Sequence, residues 1–158
     1  MFDKRWTVKP LTQEVLQQHL PRLVEIDSDT IGERWSASHW LLDLPGKWEL
    51  SRIATVRGIV TGFLVASRKG DKVHVHRAAV ARERRFMGLG LQLVQELAQG
   101  ALLEGCTGLC LKVHKTNIGA QSFFKGLGFR VTGEVRENLC MSTPPDTIPG
   151  VRAPRSSS

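Results

Sequence analysis

The sequence predicts one mixed α/β domain, and three observations carry that expectation. Three β-rich runs, "ELSRIATV", "IVTGFLVAS" and "KVHVHRAAV", follow one another with only "RG" and "RKGD" between them, connections of hairpin length. Beyond Gly90, the residues Leu91, Val94, Leu97, Ala98, Ala101 and Leu102 repeat at the 3.6-residue period of an amphipathic helix. A further strand-like run, "GLCLKV", leads into another helical segment, "NIGAQSFFKGLGF". At 158 residues the chain is long enough for one domain with a real core and short for two.

In chain order, "WTVKPL" (Trp6 to Leu11) reads as a short strand that ends at a proline. Thr12 can cap a helix carrying Val15, Leu16, Leu20, Leu23 and Val24, with Pro21 expected to kink or break it. "RWSASHWLLDLPG" reads as a second short helix, opened by Ser36 or Ser38 and stopped near Pro45 and Gly46, with most of Trp40, Leu41, Leu42 and Leu44 in the core. The three β-rich runs and the Leu91 helix follow. "GLCLKV" (Gly108 to Val113) is apolar enough for a buried strand, and Asn117 can cap a helix ended by Gly126 or Gly128. "RVTGEV" and "NLCMST" close a domain expected over residues 1–142, and residues 143–158, rich in Pro and Ser, read as a flexible tail.

Composition sets limits on function. The apolar fraction of 41% and the charged fraction of 23% suit a soluble globular protein. No apolar run approaches the roughly 20 residues of a membrane span, and "MFDKRWTVKP" lacks the apolar centre of a secretory signal. Cys106, Cys110 and Cys140 form no C-x-x-C pair, which favours a reducing cytoplasm with the thiols as small buried apolar groups. The net charge of +7 points to an anionic partner without naming it.

A strand, a basic turn and a helix meet in "ARERRFMGLGLQL". The first N–H groups of a helix lack intrahelical acceptors, and with the helix dipole they form an anion site. Gly88 and Gly90 would let a phosphate approach the backbone, and Arg82, Arg84 and Arg85 add positive charge. The dinucleotide fingerprint fails because position 93 is Leu, and no G-K-S/T follows to make a Walker A loop.

These residues resemble the GNAT superfamily of N-acetyltransferases. Arg85, Gly88 and Gly90 match its R/Q-x-x-G-x-G/A loop. Asn117, Ala120, Phe123, Gly128 and Phe129 match its second motif, an Asn followed by A-x-x-F/L-Y-x-x-x-G-F. The motifs stand in the family's order, and the resemblance spans residues 5 to 142. It implies a central, mostly antiparallel twisted sheet of about six or seven strands flanked by about four helices. It also implies acetyl-CoA as cosubstrate. The pyrophosphate would rest on the N–H groups of Arg85, Phe86, Met87, Gly88, Leu89, Gly90 and Leu91. The strand end Ala78, Ala79 and Val80 would bind the pantetheine and fix the thioester carbonyl. Asn117 would touch the pantetheine arm, with Phe124 and Lys125 beside the sulfur. Phe86 and Met87 depart from the family's usual Gly and basic residue, but both contribute mainly backbone.

Acyl transfer to an amine needs a neutral nucleophile, a polarised carbonyl and a proton for the leaving thiolate. The tyrosine that supplies this proton in many relatives is replaced by Phe124, and the chain contains no tyrosine. Relatives that acetylate ribosomal-protein N-termini carry a Glu where this chain has Lys112. In "HVHRAAV", His74 and His76 are two apart on a strand and so project to one face, where imidazoles can accept an ammonium proton. That pattern resembles the arylalkylamine N-acetyltransferases. Trp35 and Glu33 are the expected acceptor contacts, an aromatic and an acid suited to an amine with a hydrophobic body. Two histidines without a third nearby ligand do not suggest a metal site.

The leading expectation is therefore a cytoplasmic acetyl-CoA-dependent N-acetyltransferase acting on a primary amine in a ternary complex, with His74 and His76 as proton acceptors. A protein N-terminus or lysine is the second choice of acceptor, and the missing tyrosine leaves a non-catalytic acyl-CoA-binding module open. No membrane partner is expected. A nucleic-acid partner is disfavoured, since charge alone suggests one. A homodimer is compatible with the resemblance, and the sequence identifies neither the amine nor the acyl length.

Overall fold

The computed structural model describes residues 6–30 and 34–152. The elements in chain order are β1 (Thr7–Pro10), α1 (Gln13–Asp27), α2 (Ala37–Leu41), α3 (Lys47–Leu50), β2 (Arg52–Val56), β3 (Ile59–Lys69) and β4 (Lys72–Val80). They continue with α4 (Leu89–Leu103), β5 (Gly108–His114), α5 (Ile118–Gly126), β6 (Arg130–Val135) and β7 (Asn138–Thr143). The seven strands form one sheet in the order β1-β2-β3-β4-β5-β7-β6. Every neighbouring pair is antiparallel except β4 with β5. This is the mixed, mostly antiparallel sheet expected from the sequence, with five α-helices where about four were expected.

Side chains alternate across the sheet and divide the core into two layers. On β3, Leu64 and Ala66 join the layer under α4, together with Leu93, Leu97, Leu109 and Met141. Phe63 and Val65 join the opposite layer, under α1 and α2, with Leu16, Leu23, Trp40 and Ile53. β3 is buried from Val60 to Ser67 because both of its faces are covered.

Several local expectations change. α1 runs unbroken from Gln13 to Asp27 with Pro21 inside it. The Thr12 side chain caps it at Val15 N, and burial of Leu16, Leu23 and Ile26 holds the helix across the lost hydrogen bond. Val24, expected on the apolar stripe, is 43% exposed. Ser36 rather than Ser38 caps α2, and Gly46, in the left-handed region at φ +71°, opens α3 instead of ending a helix. Glu49 and Leu50 therefore lie in α3, not in a strand. Trp40 is fully buried, but Leu41 and Leu42 are exposed at the end of the short α2. Of the three thiols only Cys106 is buried; Cys110 and Cys140 are half-buried.

The segment after β7 also departs from expectation over its described part. Ile148 is 1% exposed within the α4 layer. Gln95 Nε2 donates to Pro149 O at 2.7 Å and Gln99 Nε2 to Arg152 O at 3.2 Å. Trp6 Nε1 donates to Gln92 Oε1. Gln92, Gln95 and Gln99 form one helical stripe of α4 that holds both ends of the described chain. Residues 144–152 thus pack on the domain, against the expectation of a flexible tail from residue 143.

Candidate active site

The parallel pairing of β4 with β5 is short. Lys72 to Val75 face Gly108 to Leu111, and the paired register ends there. β4 remains paired with β3 as far as Val80 opposite Gly62. From His76 to Val80, then, one edge of β4 turns away from β3 with no strand beside it among the described residues, and a fork opens between β4 and β5. An extended ligand can enter such a fork and take up strand hydrogen bonds.

A β-bulge marks the start of the fork. Val75 pairs with Ala66 and Arg77 with Val65, leaving His76 as the extra residue. His74 is the cross-strand partner of Ser67, and His76 Nε2 lies 2.6 Å from Ser67 Oγ. Ser67 follows Phe63 and Val65 in the β3 alternation, so both histidines stand beside it on the α1–α2 side. Desolvation lowers the His76 pKa from its ordinary value, and His74 and Lys47 push it the same way. Desolvation also lowers that of His74, with help from Lys69 and Lys112. Both rings are held towards the neutral form that can accept a proton.

Lys47, Arg77 and Asp27, near the histidines, gave no sequence signal, because their partners are remote or are backbone. Lys47 is 1% exposed, and its Nζ donates to the carbonyls of Trp40 (2.7 Å) and Leu42 at the end of α2 and lies over the Trp48 ring. Desolvation lowers its pKa, opposed in part by Asp43. Arg77, just past the bulge, forms a bidentate pair with Asp27 on α1, at 2.7 and 3.0 Å. Trp35 completes that cluster, with Arg77 Cζ 5.6 Å from its ring centre and Trp40 edge-on at 5.1 Å. The ring of Trp35 is thus a wall of the Arg77–Asp27 pair. Glu33 lies outside the described residues.

The second wall of the fork is the start of α4. Gly88 precedes it at φ +91°, a conformation that favours glycine, and among the described residues no side chain caps the helix. A Cβ on Gly88 would meet no atom within 4 Å, so the space outside is open. Gly90 has a different reason to be glycine: a Cβ there would stand 3.2 Å from Phe123 Cζ of α5. The loop arginines, expected to add positive charge, are not free charges. Arg82 and Arg85 reach Asp29 at 3.0 and 3.7 Å, and Arg85 Nε donates to Val80 O at 3.1 Å. Phe86 takes φ +64° with its ring fully exposed, Met87 is half-buried, and Leu89 and Leu91 root the first turn in the core.

On α5, Asn117 Oδ1 accepts from Ala120 N at 3.1 Å and caps the helix. Phe124 packs edge-on between Phe123 and Phe129 in the α4 layer, and Lys125 is exposed in the last turn. Ala78 and Val80 face the α4 layer and Ala79 the opposite one. The residues expected at the cofactor thus converge from β4, the α4 N-terminus and α5. They suit a phosphorylated, extended cosubstrate: uncapped N–H groups at the start of α4 for the anion, and for the arm a strand edge on which Arg85 takes only the Val80 carbonyl. Among the described residues no group of three His, Cys, Asp or Glu side chains could hold a metal, and no helix is long and apolar enough to cross a membrane.

A forked sheet with an open helix N-terminus on one flank suits an extended, anionic ligand. The chain belongs to the Acetyltransferase (GNAT) family, whose model matches residues 10–129. Among solved structures it is similar to Ard1 from Thermoplasma volcanium, at 23% identity and TM-score 0.76 over 88% of this chain and 97% of that one. It is likewise similar to the ribosomal-protein-S18-alanine N-acetyltransferase of Escherichia coli, at 19% identity and TM-score 0.74 over 97% and 99%. A third is the diaminobutyrate acetyltransferase EctA of Paenibacillus lautus, in complex with L-2,4-diaminobutyric acid and coenzyme A, at 16% identity and TM-score 0.70 over 90% and 96%. No curated protein sequence matches the chain.

Proposed function

We propose that this acyltransferase moves an acetyl group from acetyl-CoA to a primary amine by direct attack in a ternary complex, with His74 and His76 accepting the amine proton. The observation that carries the reading is the position of His76, at the point where β4 and β5 separate. The N–H groups from Phe86 to Leu91 would hold the pyrophosphate; that of Arg85, expected with them, is donated to Arg82 O instead. Ala78, Ala79 and Val80 would hold the pantetheine and polarise the carbonyl through strand N–H groups. Asn117, Phe124 and Lys125 would line the arm, and Trp35 with Glu33 would border the acceptor. Acetyl-CoA supplies the acyl group already activated as a thioester.

The chain itself contributes orientation and proton transfer. An amine held against the fork is placed for attack, which converts a bimolecular encounter into a local one. An ammonium must lose its proton before it attacks, and two imidazoles kept neutral by their surroundings can take it. Phe124 provides packing rather than a proton, consistent with a thiolate that leaves without much help. A small-molecule amine is preferred to a ribosomal-protein N-terminus because Lys112 places a cation where those relatives carry a Glu.

Calorimetry with acetyl-CoA on the wild type and on Gly88→Glu tests the cosubstrate site. Micromolar binding that the carboxylate abolishes supports the reading, and an amine panel led by arylalkylamines then identifies the acceptor. Wild-type protein that binds no acetyl-CoA would refute it.

A further inference from the structure

The hydrogen bond between Ser67 and His76 carries a consequence for the chemistry. We propose that Ser67 is a positioning residue that holds His76 as the tautomer with its proton on Nε2, leaving Nδ1 to receive the amine proton. This rests on the reading of His76 as a proton acceptor.

Ser67 is 7% exposed, whereas His76 is exposed. The serine is the buried partner and the histidine the partly exposed one, so the contact anchors one ring nitrogen and leaves the other without a partner among the described residues. Among the described residues neither side chain has another hydrogen-bond partner than this 2.6 Å contact. The bulge makes the contact possible. In an unbroken ladder with Ser67 opposite His74, His76 would pair with Val65; instead Arg77 takes that partner, and the extra residue turns its ring back to the serine.

The hydroxyl and the neutral ring could each donate, so the contact alone allows either direction, and the proton-acceptor role of His76 selects one. A neutral imidazole has one N–H and one lone pair, and a hydroxyl can serve either nitrogen. Were Ser67 the donor, Nε2 would be the occupied acceptor and Nδ1 would already hold the proton. The ring could then take another proton only by breaking its anchor. With Ser67 as acceptor, Nδ1 is free, and Nε2–H keeps its bond before and after protonation. The proton balance closes: the ammonium loses one proton to Nδ1, the ring becomes imidazolium, and the exposed side chain returns that proton to solvent.

The charges around His76 are consistent with a neutral resting ring. His74 on its own strand and Lys47 on α3 both disfavour the imidazolium. The neighbouring Arg77 is committed to Asp27.

Long-range proton–nitrogen NMR on the intact protein, in the wild type, Ser67→Ala and Ser67→Thr, tests the assignment without any acceptor. The expected wild-type spectrum shows His76 with Nε2 protonated. Ser67→Ala should give a mixture of tautomers, and Ser67→Thr, which keeps the hydroxyl, should restore the single form. A wild-type ring protonated on Nδ1, or an unchanged tautomer in Ser67→Ala, would overturn the proposal. Turnover supplies a second readout, taken with the best acceptor from a panel of phenethylamine, lysine and an alanyl peptide. Ser67→Ala should lose roughly tenfold in kcat/KM, part of what a positioned base contributes, with acetyl-CoA affinity kept and recovery in Ser67→Thr. Full activity in Ser67→Ala alongside an impaired His76→Gln overturns the role of Ser67 alone. Full activity in His76→Gln overturns the proton-acceptor reading and the proposal with it.

Discussion

Arg77 grips both carboxylate oxygens of Asp27, joining the end of α1 to β4 one residue beyond the bulge. The two side chains are 13% and 5% exposed, so the pair is nearly dry. Removing one partner leaves a buried charge without compensation. Asp27→Ala should therefore cost about 3–5 kcal/mol in a urea unfolding experiment. Replacing both partners with apolar residues of similar volume should recover much of that loss, since the second buried charge is then gone too.

The two loop glycines should respond differently to the same substitution. Gly88→Ala puts a Cβ into open space but forces it into the left-handed region, at a cost of about 1–2 kcal/mol. Gly90→Ala meets the tip of Phe123, which is 38% exposed and can swing outward, while the helix gains up to about 1 kcal/mol in propensity. Thermal melts should show a clear loss for Gly88→Ala and a change within about 1 kcal/mol for Gly90→Ala.

The histidine pair has a pH signature in catalysis. Both pKa values lie below the ordinary value of about 6.5, so the rings remain proton acceptors at neutral pH. The acid limb of kcat/KM should then fall below pH 6.5, as a macroscopic property of the pair. An acid limb above that value would contradict the arrangement.

The same shifts affect stability. As pH falls through about 6.5, the unfolded chain takes up protons that the folded rings resist, so the fold loses stability on acidification. Above that pH both states are neutral and the contribution vanishes. His76→Gln should flatten the dependence in denaturant titrations between pH 7.5 and pH 5, roughly spanning the histidine range.

Ile148 is the apolar anchor of the segment after β7. Ile148→Ala should cost about 2–5 kcal/mol, as expected for a fully buried aliphatic side chain. Truncation after Thr143 should cost at least as much, because Gln95 and Gln99 also lose their carbonyl partners. A truncated protein with wild-type stability would show that this packing contributes little.

Much of the fold was legible in local chemistry. β4, β6 and β7 begin and end where their apolar and β-branched runs do, and the caps at Thr12, Ser36 and Asn117 are local hydrogen bonds that a sequence displays. The short helix α3 was not legible, because four residues that depend on a buried lysine have no period to detect. Pro21 misled in the other direction, since tertiary burial outweighs one missing N–H.

By itself the sequence determined the order of the elements, the strand–loop–helix around Gly88 and the presence of two histidines on the strand before it. These follow from periodicity, capping and backbone freedom, which act over a few residues. Only the tertiary structure decided that β4 and β5 part at His76, that Ser67 bonds its ring, and that Asp27 neutralises Arg77 from 50 residues away. Those relations depend on the register between strands and on packing across the sheet. Their free energy comes from burial shared among distant segments, and no local stretch of chain records it.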